Sequence, residues 1–286
     1  ATTVNSSCTI AATYNGVAQA STCNVTSPKI TASTNTPTVV GYSTSASGTS
    51  SSWNQSTAKA VSSNATYYAI TKKDAKTITI TFNKNGASSV SDTSKSCTIA
   101  ATYNGTAQAT SCSVTSPTIT AASGFSVLGF NTSASSTSSA WSQNTAKSVS
   151  ANDTYYAVTR SSSQYTGTFN ANGATIGSTS QSCYRYNGAS SCNITTPSIT
   201  RSGFTITGWG TSASATTAAV KANTSLALSG NKTYYAVTSK AVTVTFSKGK
   251  NVSSIGATSK SCTIRNSATS CSMTTPTITA NTGYTS

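Results

Sequence analysis

Lys76–Ala87 reads K-T-I-T-I-T-F-N-K-N-G-A. Ile78, Ile80 and Phe82 fall on one side of an extended chain and threonines on the other, the period-two pattern of a half-buried strand. Asn85-Gly86 follows, a dipeptide suited to the left-handed backbone of a tight hairpin turn. The same phrase returns as T-F-N-A-N-G-A at Thr168–Ala174 and more loosely as T-F-S-K-G-K-N at Thr245–Asn251.

A second phrase moves with the first. T-Y-Y-A-I/V-T occupies Thr66–Thr71, Thr154–Thr159 and Thr233–Thr238. The first cysteine of each pair, Cys8, Cys97, Cys183 and Cys262, advances by 89, 86 and 79 residues, so the chain is a tandem array of one unit. The expected division is a partial first unit at 1–74 that lacks the head strand, units at 75–162 and 163–239, and a truncated fourth at 240–286. A chain that starts and stops within a unit reads as a window on a longer array.

Between head and tail each unit carries a proline link (Pro117, Pro197, Pro276), a short I-T strand and a glycine–aromatic pair. Helix, where present, is expected as one short segment around 133–147 and its equivalents.

Composition narrows the chemistry. The 286 residues include 18 Lys plus Arg, three acidic side chains (Asp74, Asp92, Asp153) and no His, for a net charge of +15. Charged residues are only 7% of the chain, so the excess comes from missing acids. Without His or Glu no Ser-His-Asp relay forms, and acid–base catalysis near neutral pH has few candidates. About two residues in five are Ser or Thr, which favours strands and turns over amphipathic helices. The expectation is a mostly β protein, without catalytic residues, cofactor, metal or a membrane span in this segment. Lysines are scattered, as at Lys29, Lys59, Lys84 and Lys147, so no nucleic-acid partner is expected. Sequons such as Asn5, Asn24, Asn64, Asn152 and Asn231 arise readily by chance in such a chain.

The eight cysteines form four sets, Cys8 with Cys23, Cys97 with Cys112, Cys183 with Cys192 and Cys262 with Cys271. Each set is centred on a turn dipeptide: Asn15-Gly16, Asn104-Gly105, Asn187-Gly188 and Asn266-Ser267. A two-residue hairpin centred there places the two cysteines opposite each other, and four disulfide-closed hairpins are expected. The long and short versions differ by an odd number of residues per arm, which calls for a bulge or looser loop in the long ones. Zinc and redox sites use closer Cys-x-x-Cys spacing, absent here, so an oxidising extracytoplasmic compartment is implied.

T-F-N-A-N-G-A, the Pro197–Trp209 segment, the small-residue run Thr211–Thr217 and N-K-T-Y-Y-A-V-T at Asn231–Thr238 together resemble the Listeria/Bacteroides repeat, or internalin B-repeat. The likeness is tightest in the third unit. It implies small α+β, β-grasp-like domains in an elongated array on a bacterial surface protein. The functional expectation is a structural stalk or filament segment of an adhesin-like array, its partners being neighbouring repeats or identical chains in a fibre. The alternative makes the repeats themselves modules that bind cell-wall or host glycans or polyanions, with Trp53, Trp141, Trp209 and the paired tyrosines as stacking platforms. Core packing is the favoured role for those aromatics.

Overall fold

The computed structural model describes residues 3–285. In the second unit the head strand Lys76–Asn83 runs parallel to the tail strand Asp153–Ser161, pairing Ile80–Asn83 with Asp153–Tyr156. A cystine strand, Ser94–Ile99, lies antiparallel on the outer side of the head strand. An outer strand, Phe125–Asn131, lies antiparallel on the far side of the tail strand. The sheet order is therefore outer, tail, head, cystine. The third unit repeats it with Thr205–Gly210, Lys232–Thr245, Tyr165–Asn170 and Ser180–Cys183.

Alternation explains which face is buried. Ile78 and Ile80 are fully buried and Phe82 nearly so, while the threonines between them face outward. Phe82 meets Phe130 edge-on at 5.0 Å and Trp141 at 5.5 Å between ring centroids. In the third unit Phe169 meets Trp209 at 4.7 Å and stacks on Tyr234 at 5.6 Å. Tyr155, Tyr234, Trp141 and Trp209 are all buried, so they serve the cores.

Two corrections concern local structure. No helix occurs among the described residues, so the α+β expectation gives way to an all-β unit. Residues 132–145 form bends and turns before the short strand Ala146–Val149. Serine and asparagine side chains hold them there: Asn131 Oδ1 accepts from the Ser133 amide at 3.1 Å, and Ser136 Oγ accepts from the Ser138 amide at 3.3 Å. Such local bonds offer the backbone an alternative to the helix.

The second correction concerns the cysteine loops. Disulfides join Cys8 to Cys23, Cys97 to Cys112, Cys183 to Cys192 and Cys262 to Cys271, with Cα separations of 5.9, 5.9, 5.9 and 6.0 Å. The arms are not a paired hairpin. Cys97 belongs to the main sheet, whereas Cys112 opens a strand, Cys112–Thr115, that pairs with Ala146–Val149. Likewise Cys183 pairs toward the head strand and Cys192–Thr195 pairs with Ser225–Leu228. In the second and third units the cystine therefore ties the main sheet to a side ribbon. Because the arms share no ladder, the odd difference in arm length needs no compensating bulge.

Outside the second and third units the sheet is incomplete. In the first, the tail strand Tyr68–Lys73 pairs with the outer strand Thr38–Ser43 and, at Lys72 and Lys73, with Thr102–Tyr103 of the second unit. In the fourth, Ser259–Arg265 pairs along the distal half of Lys232–Thr245, which runs unbroken from the third unit's tail into the fourth unit's head.

Candidate functional site

The turn dipeptides between the cysteines define the site. Asn15, Asn104, Asn187 and Asn266 all adopt positive φ, between 51° and 55°. Gly16, Gly105 and Gly188 follow with φ of 81°, 81° and 74°, the pattern of a type I′ turn. This geometry swings the asparagine side chain out of the loop. In three of the four turns it meets the preceding unit.

The contacts are the same each time. The backbone amides of Asn104, Asn187 and Asn266 donate to the carbonyls of Thr71, Thr159 and Thr238, each at 2.9 Å. The amides of those threonines donate back to the asparagine Oδ1 at 3.4, 3.1 and 3.2 Å. Each Nδ2 then divides its two protons between two carbonyls of the small-residue run. Asn104 takes Ala46 and Gly48, Asn187 takes Ala134 and Ser136, and Asn266 takes Ala213 and Ala215, at 2.9–3.3 Å. One acceptor and two donors on a short stem are what the socket requires, and the carboxamide supplies both. An aspartate would keep the acceptor for the threonine amide but set its second oxygen against two carbonyl oxygens.

A second asparagine braces the socket from within the same unit. Asn85 Nδ2 donates to Ala134 and Ala157 at 2.8 and 3.0 Å, and Asn172 Nδ2 donates to Ala213 and Ala236 at 2.9 and 3.0 Å. Asn85 and Asn187 thus share the carbonyl of Ala134, and Asn172 and Asn266 that of Ala213. The two turns touch backbone to backbone. A Cβ on Gly86 would lie 2.0 Å from the Asn187 carbonyl oxygen, and one on Gly173 would lie 2.7 Å from Ser267 Cα. Glycine is required here by close approach as well as by φ.

At the first junction Thr36, fully buried, adds a further contact: its Oγ1 accepts from the Gly105 amide at 3.0 Å and lies 2.8 Å from Thr71 Oγ1. All four arginines gather at the other two junctions. Arg160 lies over Tyr184, and Arg185 lies over Phe125 and Tyr165. Arg201 stacks on Phe204 at 3.6 Å and donates to the Asn266 carbonyl, while Arg265 pairs with Ser239 in the ladder.

The fourth turn differs in its surroundings. Asn15 makes no side-chain hydrogen bond among the described residues, and its neighbours Tyr14 and Val17 are 78% and 68% exposed. The junction role of these turns is not among the expectations from sequence, which are of hairpin turns alone. A signal was present, because the fourth copy loses the glycine, as Asn266-Ser267, and keeps the asparagine. Among the described residues no group of three His, Cys, Asp or Glu is placed to hold a metal ion, and no helix is long and apolar enough to cross a membrane.

The third unit also carries a family likeness, since residues 165–237 match the Listeria-Bacteroides repeat domain. This segment is similar to the Listeria-Bacteroides repeat. The match runs from the head strand to Val237 of the tail strand. Comparison with curated proteins and with solved structures gives no match. The third unit presents its small-residue run, Thr211–Ala215, as the socket for Asn266, and docks its own Asn187 into the unit before it.

Proposed function

We propose that the chain is a structural segment of a bacterial cell-surface or extracellular stalk, part of an adhesin-like array with units at 1–74, 75–162, 163–239 and 240–286. The observation that carries this reading is the junction itself, repeated at three successive positions with the same atoms. Each unit touches its neighbours through a polar lock of defined geometry, so orientation is passed along the chain and length follows copy number. The parallel head and tail strands at the centre of each complete sheet support a β-grasp-like description without its helix. The repeat family and four disulfides support an exported, oxidising setting.

Glycan binding by the repeated aromatics is the weaker reading, since Trp141, Trp209, Tyr155 and Tyr234 lie in the cores.

Asn187→Asp tests the stalk reading. It removes both donors to Ala134 and Ser136 and sets a carboxylate against two carbonyl oxygens, costing the second junction about 3 kcal/mol. Small-angle scattering of the full chain should show a broadened distance distribution, with new proteolytic cleavage near Ser162–Gln164. An unchanged scattering profile and cleavage pattern would remove the basis for the stalk.

A further inference from the structure

Two of the three locking asparagines are followed by glycine, as Asn104-Gly105 and Asn187-Gly188. Glycine suits the turn, whose φ at the two positions is 81° and 74°. It also leaves the next backbone nitrogen with no side chain to shield it, and that opens an intramolecular reaction. The Gly188 nitrogen loses its proton to hydroxide and attacks Asn187 Cγ. The Cγ–Nδ2 bond breaks, and Nδ2 takes a proton from water, returning the hydroxide, and leaves as ammonia. Water then opens the five-membered imide at either carbonyl, giving aspartate or isoaspartate. Nothing is oxidised or reduced, and one water is consumed.

The lock blocks this reaction at both ends of the carboxamide. Asn187 Oδ1 accepts from the Thr159 amide at 3.1 Å, and Nδ2 donates to Ala134 and Ser136 at 3.1 and 3.0 Å. Asn104 is held in the same way by Thr71, Ala46 and Gly48. Ring closure needs the carboxamide to turn its face to the glycine nitrogen, and three hydrogen bonds resist that turn. Departure of Nδ2 needs a proton donor, and both its neighbours are carbonyl oxygens, which only accept. At the first junction the attacking nitrogen is itself engaged, since Gly105 donates to Thr36 Oγ1 at 3.0 Å. All these partners belong to the preceding unit, so they are lost together when the junction opens.

The brace asparagines supply the contrast. Asn85-Gly86 and Asn172-Gly173 are the same dipeptide, with φ of 42° and 48° at the asparagines. Their Nδ2 groups are held by Ala134 and Ala157 and by Ala213 and Ala236, all within their own units. Opening a junction leaves these bonds in place. At the third lock Ser267 stands where the other two have glycine, and its side chain crowds the attacking nitrogen.

We propose that Asn104 and Asn187 are sites of spontaneous deamidation gated by the junctions, inert while docked and reactive once the turn swings free. The product is a carboxylate whose second oxygen would face the two carbonyls that held Nδ2. A junction that has reacted therefore does not close again, and the array keeps a covalent record of which junctions have opened. The site rests on the lock geometry and not on the stalk role, and the two fail separately. Deamidation that ignores the state of the junction removes the site and leaves the stalk. Gated deamidation in a chain where neither reacted Asn187 nor Asn187→Asp brings new cleavage near Ser162–Gln164 removes the stalk and the record, and leaves the gated site standing.

Peptide mapping of the full chain after incubation in mildly alkaline buffer tests it. In the folded chain Asn104 and Asn187 should deamidate about tenfold or more slowly than the same Tyr-Asn-Gly sequence in an unstructured peptide. Urea below the unfolding transition, where tryptophan emission shows the units intact, should accelerate both before it touches Asn85 or Asn172, with Asn266 the slowest of the three locks. Gly86→Ala, whose Cβ collides with the Asn187 carbonyl, should raise deamidation at Asn187 about tenfold and leave Asn104 and Asn172 unchanged. Folded locks reacting at the peptide's rate, Asn85 and Asn172 keeping pace with Asn104 and Asn187 in urea, or an Asn187 indifferent to both urea and Gly86→Ala would each overturn the proposal.

Discussion

The first and second units share most of their side chains and differ in how far those side chains are closed. Trp141 is 5% exposed and Ala157 fully buried, whereas their counterparts Trp53 and Ala69 are half-buried and exposed. The outer strand, tail strand, side ribbon and disulfide are present in both. What separates them is the head strand and the phenylalanine it inserts among the aromatics. The head strand therefore closes the core of its own unit and also supplies the brace for the next unit's asparagine.

Phe82→Ala should break that difference most strongly. The residue is 2% exposed among Phe130, Trp141 and Tyr155, and its truncation should cost about 4 kcal/mol. Hydrogen exchange should find the second unit opening first, with Trp141 emission shifting toward that of Trp53.

Replacing Cys97 and Cys112 by serine comes next. In the chain-entropy model closing a 15-residue loop stabilises by about 3 kcal/mol. Because this cystine ties the sheet to the side ribbon, its loss should accelerate exchange of Cys112–Thr115 and Ala146–Val149 more than that of the central strands. Equal acceleration throughout would count against the ribbon as a separately tethered element.

The smallest effect is alkaline. Burial pushes the Tyr234 phenol above its ordinary 10.0, and does the same to Tyr42. The unfolded phenol ionises first, so the unfolded state binds fewer protons above pH 10 and stability falls as pH rises from there. Thermal melting should show a modest decline beginning near pH 10. Stability that rises in that range would contradict the burial of these phenols.

Much of the unit was legible because it is local. The alternation at Lys76–Phe82 and the left-handed Asn-Gly turns depend on neighbouring residues alone, and the repeats multiply each signal. The two misreadings have a common cause, since each treated a segment as though it answered only to its neighbours. The segment around 133–147 is where a short helix was expected, yet serine and asparagine side chains cap its amides while its carbonyls turn outward to Asn187. The cysteine loops looked like hairpins because their turns are hairpin turns, but in the second and third units one arm is claimed by the unit's own head strand and the other by a ribbon. The asparagine locks join residues more than 50 positions apart, a distance over which spacing carries no information about contact.

The parallel placement of head and tail strands has a mechanical meaning. The polypeptide enters a unit at the start of one and leaves at the end of the other, so pulling on the chain slides the two strands past each other along their length. Tension is then opposed by the whole Ile80–Asn83 to Asp153–Tyr156 ladder at once. At the third junction the tail strand becomes the next head strand without a break, and force crosses from one unit to its neighbour through a single extended backbone.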